Sequence, residues 1–553
     1  MAALARFAIS CSLVLVACGP AALSNGDGGA GDDGGSGHNG PHELASIEIS
    51  PLNPIVELDL NEAGSQGFTV TGHYQDGVDE DLTAQATWTV DNAAVGAFTA
   101  GSTLDIPARA ATQVDVSKIH ATVNSFPADA QITVVSYRRT GATTDFFFVL
   151  PYNDPAGQAM KPLEFGTAVP ALDVFFLMDT TGSMGDEIVA LKNALSNTVA
   201  PQIKTVVPNT YFGVAQYKDF PGYGGASDKP IAFVQSITDS VAAVVAGIST
   251  LTASGGGDGP ESGIEAIYQV ITGAGLTGPS PLSVPPTNVG FRPSAMPVIV
   301  SISDAAYHGP GEGGSCGANY DVPVANFAHS RQQAKDALAG KCARSVGVAT
   351  DTGACNAQSD MEDFATSTGA RVPPAAWDVG TRPAGCAANQ CCTGNNGSGR
   401  APDAQGLCPL VFLAPGDGTG LGGGVVTGIT MLARFAQFDV LANAAGIGTD
   451  VVGVALPTPH TTADFIKAIA PSAFTLPAAP PIVPSPTFDA TTFHGVTPNT
   501  KVKFNVDAYN DFLPQTATAQ IFKATITVTA GGCTPLDSRD VLILVPPTAI
   551  VIN

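Results

Sequence analysis

Oxygen-bearing side chains are concentrated in the stretch 179–187, which reads DTTGSMGDE. A largely apolar run at 173–178 precedes it and predicts a buried strand, and a helical pattern follows it. The loop at the carboxyl end of a strand is where open α/β sheets bind their ligands. Asp179, Thr181 and Ser183 offer hard oxygen donors of the kind that suit Mg²⁺, Mn²⁺ or Ca²⁺. The stretch therefore predicts a divalent-cation site.

Two later segments place acids in comparable positions. The segment 255–261, GGGDGPE, precedes a helix with apolar residues on one face, so that Asp258 and Glu261 lie near its positive end. The run 297–303, PVIVSIS, predicts a second buried strand, and Asp304 follows it directly. Acids at three strand or helix ends imply one shared metal centre at the top of a sheet.

These loops resemble the metal-ion-dependent adhesion site of von Willebrand factor A (VWA) domains, with the best match to the integrin β-subunit type. The resemblance implies a doubly wound, Rossmann-like α/β fold. It also implies that one Mg²⁺ (or Mn²⁺ or Ca²⁺) is held by Asp179, Thr181, Ser183, Glu261 and Asp304. Residues that match adjacent metal sites are Asp186 and Glu187 for one site and Asp258 and Pro260 for another. Gly256 departs from the pattern, because the β type usually has an asparagine ligand there.

Ordinary structural roles are open to the same residues. The loop at 179–183 could cap a helix, and Asp304 could be a plain acid at a strand end. Asp186 and Glu187 could act only by favourable charge in the first helical turn. His308 is more typical of a hydrogen-bonded structural residue than of a ligand.

Enzymatic function is not predicted. Ser183 fails the G-x-S-x-G nucleophile pattern because Thr181 occupies the first glycine position. The phosphate-binding pattern G-x-x-x-x-G-K-[ST] and the zinc pattern H-E-x-x-H are absent from the sequence. A metal-dependent hydrolase would need a general base beside a metal-bound water, and no His or Lys stands out for that role.

Composition and the first residues point to export. The 553 residues contain 48 acids and 24 bases, so the chain repels phosphate backbones, and nucleic-acid binding is not expected. Residues 1–17 read as a signal peptide, and the segment 15–18, LVAC, resembles a bacterial lipobox that leaves lipid on Cys18. An ordinary signal peptide is the alternative. The expected location is the bacterial cell envelope, as an outer-membrane lipoprotein held by lipid alone.

The rest of the chain divides by pattern. Residues 18–43 are a lipidated cysteine and a flexible Gly/Asp linker, and the alternating runs at 44–137 resemble a bacterial Ig-like β-sandwich. The VWA-like domain is predicted at 172–456, with a Cys-rich insertion at 373–420, a helix at 424–445 and a strand at 450–455. The pattern at 457–553 predicts a C-terminal β-sandwich that flanks the VWA-like domain. A strand segment at 138–171 is hypothesised to pair with this sandwich.

Eight cysteines lie beyond the signal region, an even number that favours disulfides in an exported chain. The pairing cannot be deduced, and a zinc knuckle is the alternative for the cluster at 386–408. The eight are Cys316, Cys342, Cys355, Cys386, Cys391, Cys392, Cys408 and Cys533.

Two functions are compatible with this sequence. The first is a lipid-anchored envelope protein that binds a protein partner, whose Asp or Glu carboxylate completes the coordination of the metal. The second is an envelope scaffold in which the metal only stabilises the fold.

Overall fold

The computed structural model describes residues 42–548 with short gaps, namely 141–143, 156–158, 258, 279–281, 313–315, 351–352, 354, 381, 452, 479–484 and 517–518. The predicted signal peptide, Cys18 and nearly all of the linker lie outside the described residues, as does Asp258. Within the described part of the chain, every helix is too short or too polar to span a bilayer.

The N-terminal β region, residues 44–136, forms small sheets around one apolar core. The sheet orders are β1-β4-β5, β2-β10-β9-β6 and β3-β8-β7. Trp88 stacks on Phe98 in this core, with 5.5 Å between the ring centroids. The strands are β1 (Leu44–Ser50), β2 (Ile55–Leu58), β3 (Gly64–Gly67), β4 (Thr69–Tyr74), β5 (Asp79–Asp81), β6 (Thr87–Val90), β7 (Ala97–Ala100), β8 (Thr103–Ile106), β9 (Gln113–Val123) and β10 (Phe126–Ser136).

The flanking β region is built from chain segments on both sides of the α/β domain. β11 runs parallel to β27, and β12 runs antiparallel to β25, so segments far apart in sequence share sheets. The sheet orders are β11-β27-β26-β21-β24-β23 and β12-β25-β22. The strands are β11 (Phe146–Val149), β12 (Ala159–Gly166), β21 (Phe438–Gly446), β22 (Ile466–Thr475), β23 (Thr487–Phe488), β24 (Thr492–Val496), β25 (Lys501–Ala508), β26 (Gln520–Ala530) and β27 (Thr534–Val545).

The α/β domain contains a sheet of order β15-β14-β13-β16-β17-β20, parallel except for β15. Every residue of β13 and β16 is buried, as expected where helices cover both faces of a parallel sheet. The strands are β13 (Leu172–Asp179), β14 (Thr210–Tyr217), β15 (Ala232–Thr238), β16 (Met296–Ser303), β17 (Arg344–Ala349) and β20 (Val411–Leu413), and β18 (Arg371–Val372) and β19 (Cys408–Pro409) form a separate pair.

Helices connect these strands and leave a crevice at the centre of the sheet. From β13 the chain winds outward to β14 and then returns to β16 on the other side, so the connections diverge between β13 and β16. Such a switch point opens a crevice at the carboxyl ends of the two strands. The helices are α1 (Gly185–Ala194), α2 (Ala200–Val206), α3 (Val241–Ile248), α4 (Gly263–Thr272), α5 (Arg331–Gly340), α6 (Gln358–Ser367) and α7 (Leu421–Phe435).

The end of the α/β domain differs from the prediction. The helix predicted at 424–445 is wrong beyond Phe435, where α7 ends, because 438–446 forms β21 between β24 and β26. The predicted strand at 450–455 is also wrong, because the chain reverses there: Thr449 and Ala455 form an antiparallel bridge, and Asp450 N–H donates to the Val454 carbonyl at 2.8 Å. The alanine-rich segment ANAAG has helical propensity, but backbone pairing on both edges of β21 outweighs it. The domain thus ends near 436 rather than 456.

All eight cysteines beyond the signal region form disulfides. The pairs are Cys316–Cys355, Cys342–Cys533, Cys386–Cys392 and Cys391–Cys408. The zinc knuckle considered for the cluster at 386–408 is therefore wrong, because its four thiols are consumed in two disulfides. Cys342–Cys533 joins the loop before β17 to the turn between β26 and β27, and so ties the α/β domain to the flanking β region.

We expect the Cys342–Cys533 disulfide to be the stronger contributor to stability among these cross-links. It spans 191 residues, whereas Cys386–Cys392 spans 6. Loop entropy then gives a loss in the free energy of unfolding of about 5 kcal/mol for the first and about 2 kcal/mol for the second. Calorimetry without reductant on the two double Cys→Ser variants checks this. An equal or larger loss from the Cys386/Cys392 variant would contradict it.

Candidate metal centre

The centre is built on the carboxylate of Asp179, the last residue of β13, which is fully buried. Its Oδ1 accepts hydrogen bonds from the backbone N–H and the hydroxyl of Thr181, at 2.9 and 2.8 Å. Its Oδ2 accepts one from the hydroxyl of Ser303, at 2.7 Å. Burial raises the pKa of Asp179 to about 7, the hydrogen bonds oppose that shift, and the charge of Asp304 adds to it. The negative form of this carboxyl would gain from a nearby cation.

A glycine loop closes over Thr181. Gly255 and Gly256 have φ values of +74° and +73°, in the left-handed region that glycine adopts readily. A Cβ on Gly256 would lie 3.1 Å from the Cβ of Thr181 and 3.2 Å from Oε1 of Glu261. The missing side chain therefore lets the loop bring Glu261 close to Thr181. Gly182 N–H donates to the Gly255 carbonyl at 3.2 Å and fastens the two loops together.

Asp228, a buried residue, holds this glycine loop in place. Its Oδ2 accepts hydrogen bonds from the backbone N–H of Gly256 at 2.9 Å and of Gly225 at 2.6 Å. Lys218 lies 3.6 Å from its Oδ1 and donates to the Ser254 hydroxyl at 2.9 Å. The positive charge of Lys218 is thus engaged with the outer side of the loop.

The loop after β16 is fixed to Glu261 through the backbone. Glu261 N–H donates to the Ala306 carbonyl at 2.8 Å, and His308 N–H donates to the Glu261 carbonyl at 2.6 Å. The ring of His308 is buried and contacts the Asp219 carboxylate and the Gly317 carbonyl. His308 is therefore a hydrogen-bonded structural residue, as predicted.

These loops enclose a cleft of about 350 Å³. Four of the predicted ligands line it, and Asp179 lies directly behind one of them, hydrogen-bonded to Thr181. None of the described lining residues is basic. Within the described ranges, no three His, Cys, Asp or Glu side chains come close enough together to hold an ion. The lining residues are Thr181, Gly182, Ser183, Gly255, Gly256, Gly259, Glu261, Asp304, Ala305 and Cys355.

Asp186, Glu187 and Pro260, which were matched to adjacent metal sites, differ in their burial. Asp186 is exposed in the first turn of α1, whereas Glu187 is buried, and burial raises its pKa. The charge of Asp304 also acts on the Glu187 carboxyl, and Glu187 does not belong to the cleft lining. Pro260 is buried next to Glu261 and offers no side-chain donor.

Three residues of the centre were not predicted from the sequence. Ser303 reaches Asp179 because Met178 pairs with Ile302 in the β13–β16 register, which places the next residues side by side. Asp228 belongs to the centre because its carboxylate holds the glycine loop through the backbone N–H of Gly256. Cys355 enters the cleft because it is joined to Cys316 and its carbonyl accepts from Ala306 N–H at 2.9 Å. Ser303 alone carried a local signal, as a hydroxyl residue directly before Asp304.

Part of this α/β domain matches a known family. Residues 173–278 match the family model described as von Willebrand factor A domain. The chain contains a VWA domain. The match begins in β13 and ends just after α4, so it includes the loops that carry Asp179, Thr181, Ser183 and Glu261.

Likeness to whole proteins is more distant. Ice-binding protein 1 of Shewanella frigidimarina (strain NCIMB 400) is 29% identical over 93 residues, which are 17% of this chain and 10% of that protein. The matched stretch thus spans about a tenth of that relative. Von Willebrand factor type A from Catenulispora acidiphila is 11% identical, over 84% of this chain and 75% of its own, with a TM-score of 0.28. The pilus adhesin SpaC from Lactobacillus rhamnosus GG is 9% identical, over 78% and 45%, also with a TM-score of 0.28. Those two TM-scores are too low to support a conclusion.

We expect Gly255→Ala to disturb the glycine loop of the VWA domain. The new Cβ would lie 2.3 Å from Oδ1 of Asp228, at a φ that L-residues adopt at a cost of roughly 1–3 kcal/mol. Thermal unfolding should show that loss, and hydrogen exchange should show a faster Gly256 amide. Gly259→Ala is the control, because a Cβ there meets no atom within 4 Å. Equal stability of the two variants would refute the role given to Asp228.

Proposed function

We propose that this protein is a lipid-anchored protein of the bacterial cell envelope that binds a protein partner through a metal-ion-dependent adhesion site of the integrin β-like type. The observation that carries this proposal is the convergence of Thr181, Ser183, Glu261 and Asp304 on one cleft, with Asp179 behind them. The four come from three separate segments of the chain. A VWA domain with such a cleft fits adhesion or protein binding better than catalysis.

The donor set fits a hard divalent cation. Two carboxylates and two hydroxyls line the cleft, and Mg²⁺ prefers oxygen ligands and keeps some of its waters. Mn²⁺ or Ca²⁺ could take the same oxygens. In the proposal Thr181, Ser183, Glu261 and Asp304 hold the ion, while Asp179 orients Thr181 and adds negative charge. When bound, the ion supplies a coordination position for a carboxylate from the partner.

The charge of the cleft explains why a carboxylate partner would depend on the ion. Glu261 and Asp304 face the entering group, and the whole chain carries a net charge of −24. An Asp or Glu side chain of a partner is therefore repelled by the bare cleft. With a divalent cation in place the local interaction becomes attractive. Binding should thus be switched on by the ion rather than merely strengthened by it.

A binding role is proposed rather than an enzymatic one because of the state of His308, which follows Asp304 by four residues. His308 is fully buried, and both ring nitrogens are engaged, with Asp219 and with the Gly317 carbonyl. It therefore cannot approach a bound water as a general base without breaking these contacts. The structural scaffold is the competing proposal, and it shares the same ion. The two differ in what loss of the ion would do.

Lipid on Cys18, the linker and an Ig-like N-terminal region complete the proposal. The N-terminal β region would act as a spacer between the membrane anchor and the VWA domain. Its contact with the flanking β region supports a stiff connection, because Tyr137, Phe147 and Leu542 pack in one small buried cluster. The proposed location is the outer membrane of the cell envelope.

We expect Ser183→Ala and Asp304→Asn to lower Mg²⁺ and Mn²⁺ affinity by about 10–100-fold or more, as losses at metal sites do. Ser183 is exposed and Asp304 partly buried, so neither change should unfold the domain. Isothermal titration calorimetry measures the affinities. Asp336→Asn, which removes an exposed acid from α5, is the control and should bind like the unaltered chain. Unchanged affinity in both test variants would show that the cleft is not the metal site.

We expect capture of a partner from envelope extracts to require the ion. The unaltered chain should retain a partner in Mg²⁺ and release it in EDTA, and Ser183→Ala should fail to retain it in Mg²⁺. Mass spectrometry identifies what is retained, with Asp336→Asn again as the control. If EDTA lowers the thermal midpoint but leaves capture unchanged, the scaffold proposal is correct and the adhesion proposal is wrong.

A further inference from the structure

A second cleft, of about 520 Å³, lies between helix α7 and the Cys-rich segment 376–397, and is called the α7 pocket here. Its volume falls within the range of about 300–1,000 Å³ typical of small-molecule sites. Large apolar side chains form much of its lining, among them Trp377, Phe412 and Phe435. Thr427 and Arg434 of α7 add polar groups. None of its described lining residues belongs to the metal cleft.

The outer wall of the α7 pocket is held rigidly. Cys386–Cys392 and Cys391–Cys408 cross-link the segment that forms it. The guanidinium of Arg382 donates to the carbonyls of Pro374 at 2.6 Å, Ala387 at 2.8 Å and Ala388 at 2.9 Å. A wall fixed in this way needs little ordering when a ligand binds, which favours affinity.

Arg434 distinguishes this pocket electrostatically. It is exposed in the last turn of α7, and among the described residues it makes no ion pair or side-chain hydrogen bond. Other arginines of the domain are paired, among them Arg371 with Asp403 and Arg400 with Glu362. A cation at a helix C-terminus is favourable by itself. Beside an apolar pocket, in a chain with 48 acids and 24 bases, it also selects for an anionic group.

Trp377 adds apolar surface to the pocket. The residue lines the pocket and is 5% exposed. Its indole N–H is buried and has no hydrogen-bond partner among the described residues. Because that nitrogen has almost no accessible surface, the part of Trp377 that borders the pocket is apolar ring surface.

We propose that the α7 pocket binds a small organic acid with an aromatic or apolar body. The body packs against Trp377, Phe412 and Phe435, and the acid group pairs with the guanidinium of Arg434, a geometry that suits a carboxylate. The site is separate from the metal cleft and does not depend on the function proposed for it.

The two tryptophans of the chain, Trp88 and Trp377, allow a direct test. In a Trp88→Phe chain the remaining indole lines the pocket and reports occupancy by its fluorescence. The probe is 4-phenylbutyrate, compared with 4-phenyl-1-butanol, which has the same body without the charge. We expect a saturable change with a Kd on the order of 1 mM for the acid, the usual strength for a ligand of this size.

Arg434→Gln in the same background separates charge recognition from simple apolar binding. The acid should bind at least about fivefold more tightly than the alcohol, and Arg434→Gln should remove that preference. Lys341→Gln, which removes an exposed positive charge at the end of α5, should leave it unchanged. Ser183→Ala should also leave it unchanged, which keeps this test independent of the metal cleft. No saturable response, equal binding of acid and alcohol, or a preference that survives Arg434→Gln would each overturn the proposal.

Discussion

The buried carboxylate of Asp179 is the constraint around which the VWA domain is arranged. Burial raises its pKa to about 7, and hydrogen bonds from nearby donors oppose that shift. Those donors come from the next turn of its own loop, Thr181, and from the neighbouring strand, Ser303. The glycine loop then covers Thr181, and a cleft of about 350 Å³ lies beside it. The same residues that stabilise the carboxylate thus shape the cleft.

Some residues of this centre can be predicted from the sequence and others cannot, and the difference has a physical reason. Asp179, Thr181 and Ser183 are adjacent in the chain, and strand ends in a parallel sheet share one edge, so local patterns suffice. Asp228 acts through backbone amides of a loop that only folding brings near it, and no residue pattern reveals that. The helix prediction was wrong at 438–446 for a related reason. Its helical propensity is local, whereas its pairing with β24 and β26 is not.

The attachment of the VWA domain fixes the direction in which its cleft faces. Short connections join β12 to β13 and α7 to β21, and the disulfide Cys342–Cys533 adds a third attachment before β17. All three lie towards the amino ends of the parallel strands. β13 is eight residues long, which at about 3.3 Å per residue places Asp179 roughly 25 Å from that end. The cleft therefore opens away from the flanking β region, and one continuous apolar core connects the two.

Charge then decides what can approach that opening. Repulsion from a net charge of −24 is screened beyond about 8 Å at physiological ionic strength, so distant acids contribute little to the final contact. Glu261 and Asp304 lie at contact range, where screening is weak. In the proposed centre a hydroxyl such as Ser183 would ligate the ion without adding negative charge, so Glu261 and Asp304 would balance the charge of a divalent cation, whereas four carboxylates would leave the site negative. A partner carboxylate would then meet a cation with an open coordination position instead of two bare carboxylates, and only while the ion is held.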